Sequence, residues 1–507
     1  MAATRAVNWR GAAAPALPSN EPAVEPRAAW RSFFDREKLG AIVVLFWMSG
    51  PVAPLIPNLD GSLDQMLSLP GSSLSNPTGF DDQFLRLSWY PVYLIVLVLA
   101  NRYWRVMWQV AKHNVPLLLL LGWTLASTVW SVTPPDTLRR SIALSLTTTF
   151  AVYLGIRFDI LTIVKLVAVA LGVDVVGSAV CSLAFPAIGV CADAEYPGAW
   201  RGIFASKNQL GAMMLIECLA LTVLYLAEKR RLYLGALAAA FAMLLLSTSK
   251  TPLFIILALI PCLTLVRRFF RTPRGFSVLL ALSLSLAAIA LIVGEASMTV
   301  ILEFLGRDAT LTGRTDIWSL SWQAIQQRYW TGYGYGAFWS NPWGPATNIW
   351  DALQWRVPSS HSGLLELWLG LGLVGVVLFG ILLLRNISWI LSQAARASCE
   401  ECLWRIGYFV LFLVHAVTEP SAMEQTSVSW ALFIAIAVGG SRRGATAPRP
   451  DWAAPSGTAA ADRGWHGGPP GRPPWKAGHL GPQHTVLPAR DTRLFPWSPG
   501  LHQEGPR

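Results

Sequence analysis

The sequence predicts an all-α polytopic integral membrane protein of about twelve transmembrane helices, with one outsized outward loop. Three observations predict it. Of 507 residues, 53% are hydrophobic and 14% charged, where soluble proteins average about 25% charged. The 24 Trp and 21 Phe add more apolar surface than so few charges can cover in water. Apolar runs near the ~20 residues that a bilayer demands recur along the chain, and the loops between them alternate in charge. This composition excludes a string of soluble domains, a disordered chain, a disulfide scaffold and a coiled coil. The net charge of +11 bears on topology and on anionic headgroups. Nucleic acid is not an expected partner, because the basic groups are divided among loops and a tail.

Residues 1–38 are polar and rich in Ala and Pro, and they lack the features of a signal peptide. They read as a cytoplasmic tail. Nine spans are expected within 39–294: Leu39–Ile56, Leu87–Ala100, Val115–Val132, Ser141–Phe158, Ile160–Leu183, Gln209–Ala227, Leu232–Ser247, Pro252–Val266 and Phe276–Gly294. Three more lie within 362–440: Ser362–Leu384, Trp404–Thr418 and Thr426–Gly440. Residues 441–507 hold twelve of the 34 Pro and nine Lys/Arg against four Asp/Glu, with no apolar period. They read as a disordered cytoplasmic tail able to rest on anionic lipid.

Every second loop is basic. Arg27, Arg31, Arg36 and Lys38 precede the first span, and Arg102, Arg105 and Lys112 follow the second. Lys229, Arg230 and Arg231 follow the sixth, and Arg267, Arg268, Arg271 and Arg274 the eighth. Arg442 and Arg443 follow the last. The positive-inside rule then places both termini in the cytoplasm and the alternate loops outside. Arg139 and Arg140, after the third span, are the one pair that fits poorly.

The outward loop 295–361 is too long to be a passive connection. It carries seven Trp, with Thr315–Tyr329 reading as a helix that places Trp318, Trp322 and Ile325 on one face. Trp330–Gly336 reads as a flexible turn set. Such aromatics suit either a membrane-interface belt or stacking on sugar rings. Of the six Cys, Cys399 and Cys402 form a lone CxxC in a loop, with no second pair for zinc. Cys181 and Cys191 are spaced to meet on an oxidising face.

Charged residues at the outer ends of spans are the functional candidates. Arg201 lies in Trp200–Asn208, Arg314 in Gly313–Trp318, and His361 opens the tenth span. Two Arg and Lys207 on one face can hold a diphosphate, and a His beside them can move a proton near neutral pH. Glu195 is a second candidate base. The competing reading makes the arginines headgroup anchors and His361 a helix-start residue.

The chain resembles the O-antigen ligase and polysaccharide polymerase family of bacterial envelopes, and within it the exopolysaccharide polymerases that extend succinoglycan-like polymers. Trp200–Asn208 resembles the family's first arginine motif, with Ser206 where His is expected. Gly313–Trp318 followed by Trp330–Trp339 resembles its second. His361-Ser362, with Gly372 and Gly375 at the matching spacing, resembles the motif closing the large periplasmic loop. Thr418-Glu419-Pro420, with His415 before it, resembles a late motif, and the lipid tail of the substrate is expected between helices there.

The resemblance implies a metal-independent membrane glycosyltransferase of the bacterial inner membrane with a periplasmic active site and no cofactor. The sequence agrees in having no Asp-x-Asp pair in an outer loop. The implied donor is an oligosaccharide repeat unit on undecaprenyl diphosphate, with lipid diphosphate as leaving group. Arg201, Arg314 and Lys207 would hold the diphosphate, His361, Arg314, Arg201 and Glu195 would carry catalysis, and Trp318, Trp330, Tyr333, Tyr335 and Trp339 would bind sugar. A chain-length regulator and export machinery are the implied protein partners. An O-antigen ligase acting on lipid A–core is the alternative, and a lipid-linked sugar transporter the second alternative.

Overall fold

The computed structural model describes residues 35–51, 79–191, 197–253, 255–256, 314–341, 343–394, 397–420 and 422–438. The tails 1–34 and 439–507, Glu195, the span expected at Phe276–Gly294 and most of Pro252–Val266 lie outside the described residues. Among the described residues every regular element is a helix, apart from one isolated antiparallel bridge between Val190 and Trp200.

Four of the described helices begin at a residue whose side chain caps the first turn. Asp35 opens α1 (Arg36–Met48) by accepting from the Lys38 amide at 2.8 Å. After α1 come α2 (Gly79–Asn101), α3 (Trp104–Lys112) and α4 (Val115–Ala126), which runs on as a 3₁₀ turn to Trp130. Next are α5 (Pro134–Arg157), α6 (Ile160–Ala184), α7 (Lys207–Glu228) and α8 (Arg231–Leu246). Asp159 caps α6 on the Thr162 amide at 3.0 Å, and Ser206 caps α7 on the Gln209 amide at 3.2 Å. The capping need of α7 gives Ser206 a structural reason to be Ser. Within the long loop stand α9 (Arg314–Gln327) and α10 (Thr347–Leu353), followed by α11 (Gly363–Ala394), α12 (Cys399–Thr418) and α13 (Val428–Val438).

Helices overlap the expected spans from Leu39–Ile56 to Leu232–Ser247 and from Ser362–Leu384 to Thr426–Gly440 where these are described. By length and composition, Ile160–Ala184, Lys207–Glu228 and Gly363–Gln393 are long and apolar enough to cross a membrane. Leu87–Asn101, Val115–Trp130, Arg231–Leu246 and Val428–Val438 are shorter apolar helices. α13, at 11 residues, reaches only about 16 Å of a ~30 Å hydrocarbon core. It is enclosed by protein, as a helix apolar all round must be. α3 was expected as loop; its Trp104 and Trp108 stack 6.1 Å apart on an exposed face. Cys399 and Cys402 sit in the first turn of α12, not in a loop, because Ser398 caps that helix on the Glu401 amide. Cys181 and Cys191 are both buried.

Helix direction sorts the polar groups between two ends. At one end Glu37 takes Arg157 at 2.6 Å and Arg102 at 4.0 Å, and Glu228 takes Lys165 at 2.5 Å and Arg230 at 3.2 Å. At the other end lie the C-terminus of α1, the N-terminus of α7 and the C-terminus of α12. Arg139 and Arg140 belong to this second end. Arg139 pairs with Asp136 at 3.0 Å, and Arg140 donates to the Gly336 carbonyl. They hold protein, and their fit to the charge rule is poor for that reason.

The segment Trp330–Gly336 is docked rather than flexible. α11 breaks at Gly372, whose φ of 66° and ψ of −172° are not helical. The turn before it fills the break. Leu373 donates to the Tyr329 carbonyl at 2.9 Å, Tyr333 to Leu369 at 2.8 Å, and Gly334 to Gly370 at 2.9 Å. The Trp123 indole takes the Leu371 carbonyl at 2.9 Å. A Cβ at Gly372 would collide with the backbone of Trp330 and Thr331. Gly372→Ala is therefore expected to lower the thermal midpoint of the detergent-purified protein, with strain of about 1–3 kcal/mol before the collision is counted. Gly380→Ala, where a Cβ meets nothing within 4 Å, is expected to leave the midpoint unchanged.

Candidate functional site

Local chain forces place the site residues before any ligand does. Arg314 and Trp318 are one helical turn apart on α9, so they share a face. The Trp318 indole donates to the Ser360 carbonyl at 2.9 Å, which clamps α9 on the turn that carries His361. That turn is tight: His361 has φ of 51°, and its amide donates to the Ser359 hydroxyl at 3.3 Å. Glu366, one turn into α11, accepts from the Ser360 amide at 2.6 Å and from the Trp339 indole at 2.9 Å. Glu366 therefore pins the His361 turn from beneath.

Arg314 Nη2 lies 4.0 Å from Glu419 Oε1, just past the end of α12. Its charge also reaches His361. Burial, and then Arg314, hold the imidazole pKa below its ordinary 6.5. His361 Nδ1 is buried and has no hydrogen-bond partner among the described residues. A neutral imidazole with an open nitrogen accepts a proton, so the arrangement suits a base. The Glu419 carboxyl is raised by burial, against the lowering effect of Arg314.

Next to this cluster lies a cavity of about 360 Å³ whose lining includes Ser206, Asn208, Gln209, His415, Glu419 and Glu424. The first arginine motif and the late His415–Pro420 motif therefore meet here, although some 200 residues separate them in the chain. At His415 and Glu419, where the lipid tail is expected, the wall mixes polar groups with apolar side chains, among them Trp47, Met48, Trp89 and Met213. Glu424 keeps contact with solvent in the cavity, yet the protein packed around it, and then the charge of Glu419, push its carboxyl up to about 7.

The other expected residues are distributed as follows. Arg201 anchors on the turn after α6: its Nε donates to the Ile188 carbonyl at 2.7 Å and its amide to Gly189 at 2.9 Å. Lys207 begins α7 beside the cavity-lining Ser206 and Asn208. Trp330 is exposed, whereas Trp318 and Trp339 are half-buried. Tyr333 and Tyr335 are buried, the first donating to Ala324 at 2.9 Å and the second to the Met423 carbonyl. Glu195 lies outside the described residues. Sequence reasoning missed Gln209, Glu424 and the supporting role of Glu366. Glu366 was visible as a charge inside an apolar span, and Glu424 only as a carboxyl close after Glu419.

Residues 234–380 match the family model described as O-antigen ligase. The chain is also 28% identical over 235 residues to the exopolysaccharide production protein ExoQ of Rhizobium meliloti (strain 1021). That match covers 43% of this chain and 53% of the relative, so the chain spans about half the length of the curated relative it matches. The chain is thus similar to the O-antigen ligase and polysaccharide polymerase family, on its exopolysaccharide side. With the apolar helices, this makes it a membrane protein.

The His361 environment is open to direct titration. Carbethoxylation of the His361 peptide, followed by mass spectrometry, is expected to rise through a midpoint below 6.5. In Arg314→Gln the midpoint should move up but stay below 6.5, because burial is the larger cause. A midpoint at or above 6.5 in the wild type would mean a solvated ring.

Proposed function

We propose that this chain polymerises undecaprenyl-diphosphate-linked oligosaccharide repeat units into exopolysaccharide at the periplasmic face of the bacterial inner membrane. The observation that carries the reading is the meeting of Arg314, His361 and Glu419 beside a polar cavity at one end of an apolar helical bundle. Similarity to the exopolysaccharide production protein ExoQ favours a polymerase. In this reading the chain crosses the membrane about twelve times with both termini cytoplasmic. The separation of the Glu37 and Glu228 ion-pair clusters from the cavity end supports that orientation.

The reaction is a glycosyl transfer. An acceptor hydroxyl oxygen attacks the anomeric carbon of the donor, and the bond from that carbon to the diphosphate oxygen breaks. The electron pair leaves with the lipid diphosphate, and the hydroxyl proton passes to neutral His361. Charge grows on the diphosphate, and Arg314, with Arg201 and Lys207, stabilises it; these side chains supply the positive charge without a metal. Glu419 holds the Arg314 guanidinium ready and yields it to the stronger dianion. In this reading Trp330, Trp318 and Trp339 touch sugar. Tyr333 and Tyr335 support them from within, their hydroxyls being spent on backbone. A chain-length regulator and an export apparatus are the proposed partners. The O-antigen ligase reading, favoured by the description of the matching family model, shares this site and differs in acceptor.

Polymer length in a deletion strain tests the proposal. Arg314→Ala and His361→Ala, each checked for membrane insertion, are expected to leave only single-repeat material, with rate losses of about 10²–10³-fold for Arg314. Polymer made normally but left unattached in the deletion strain would identify a ligase. Full-length polymer from both variants would remove the site assignment.

A further inference from the structure

The cavity beside Arg314 has a wall of two chemistries. Trp47 and Trp89 line it, and so do the amides of Asn208, Gln209 and Gln425 and the carboxylates of Glu419 and Glu424. Its volume of about 360 Å³ lies within the ~300–1,000 Å³ range of small-molecule sites. Glu424, standing beside Glu419 on the wall, disfavours a diphosphate there. Indoles beside amides and carboxylates match the surface of a sugar ring, which has an apolar C–H face and a hydroxyl edge. The lining is also held in place. Gln209 Nε2 donates to the Ser49 carbonyl at 3.0 Å, and Tyr335 donates to Gln425 Oε1 at 3.3 Å. Glu424 is accessible to solvent, and no hydrogen bond or ion pair engages its carboxylate among the described residues.

We propose that this cavity is the acceptor subsite, binding one sugar ring of the growing or incoming glycan, with Glu424 accepting hydrogen bonds from its hydroxyls. The inference rests on the polymerase reading and deepens it. Charge divides the two substrates: the diphosphate of the donor goes to the Arg314 side, and the neutral polyhydroxylated ring goes to the carboxylate side. The Arg314–Glu419 pair marks the border between them. Glu424 is a specificity-determining residue here, and the proton transfer stays with His361.

The test uses full-length protein in detergent with two probes. One is undecaprenyl diphosphate, which carries no sugar. The other is the lipid-free repeat oligosaccharide, used as a competing acceptor against the lipid-linked repeat. Glu424→Gln is expected to raise the concentration of free oligosaccharide needed for half-inhibition about tenfold, the size of one charge-assisted hydrogen bond. Ala212→Trp, which fills the cavity from α7, is expected to abolish that inhibition. Both variants should bind undecaprenyl diphosphate within twofold of wild type, and that binding also shows that they are folded. Oligosaccharide inhibition unchanged within twofold in both variants overturns the acceptor subsite. Loss of undecaprenyl diphosphate binding in both, with monodisperse protein, assigns the cavity to the donor and overturns it as well. Wild-type polymerisation by Arg314→Ala would instead fail the polymerase site itself, a separate outcome.

Discussion

The break in α11 at Gly372 is the constraint on which the rest of the structure depends. A helix that loses its ladder inside an apolar bundle must find other partners for every freed amide and carbonyl, because no water is there to take them. The turn Tyr329–Gly334 supplies those partners strand-like, amide to carbonyl in both directions. Only glycine permits the approach, since a Cβ at Gly332 or Gly372 would meet the opposing backbone. Once the turn is fixed, its next residues are fixed too. Arg140 holds Gly336, and Tyr335 reaches across to Met423 and Gln425. The loop that follows α12 is thereby set against the loop that precedes α11.

That cross-link places the chemistry. The α9 helix is clamped on the His361 turn through Trp318, and the turn is pinned from within α11 by Glu366. Arg314 then faces Glu419 on one side and depresses the basicity of His361 on the other. A cation, a neutral imidazole and a buried carboxyl thus share one small region. Each influences the protonation of the next, as happens when ionisable groups are withdrawn from water together. Glu424, near Glu419 on the cavity wall, is raised to about 7.

The legible parts of the sequence were those set by short-range rules. α6 and α7 were visible from apolar length, and their starts from Asp159 and Ser206. α9 was visible from the spacing of Trp318, Trp322 and Ile325. The Gly-rich run 330–336 was misread as mobile, because glycine's freedom in a sequence does not reveal the surface it is made to approach. Arg140 was anomalous for the same reason: its partner, Gly336, lies in a turn whose position no local pattern states, whereas Arg139 pairs locally with Asp136. The importance of Glu366 was half visible, as a charge in an apolar run.

By itself, the sequence determined that this chain is a helical membrane protein and where its capped helices begin, and it singled out Arg314 and His361 as candidates. Apolar length, caps and charge are local properties, and they act wherever the chain happens to fold. Only the tertiary structure decided that Arg314 meets Glu419, that Ser206 and His415 border one cavity, and that Tyr333 and Tyr335 are buried. Those outcomes turn largely on contacts between segments far apart in the chain. The broken helix fixes such contacts through backbone hydrogen bonds, which carry no trace in side-chain identity except glycine.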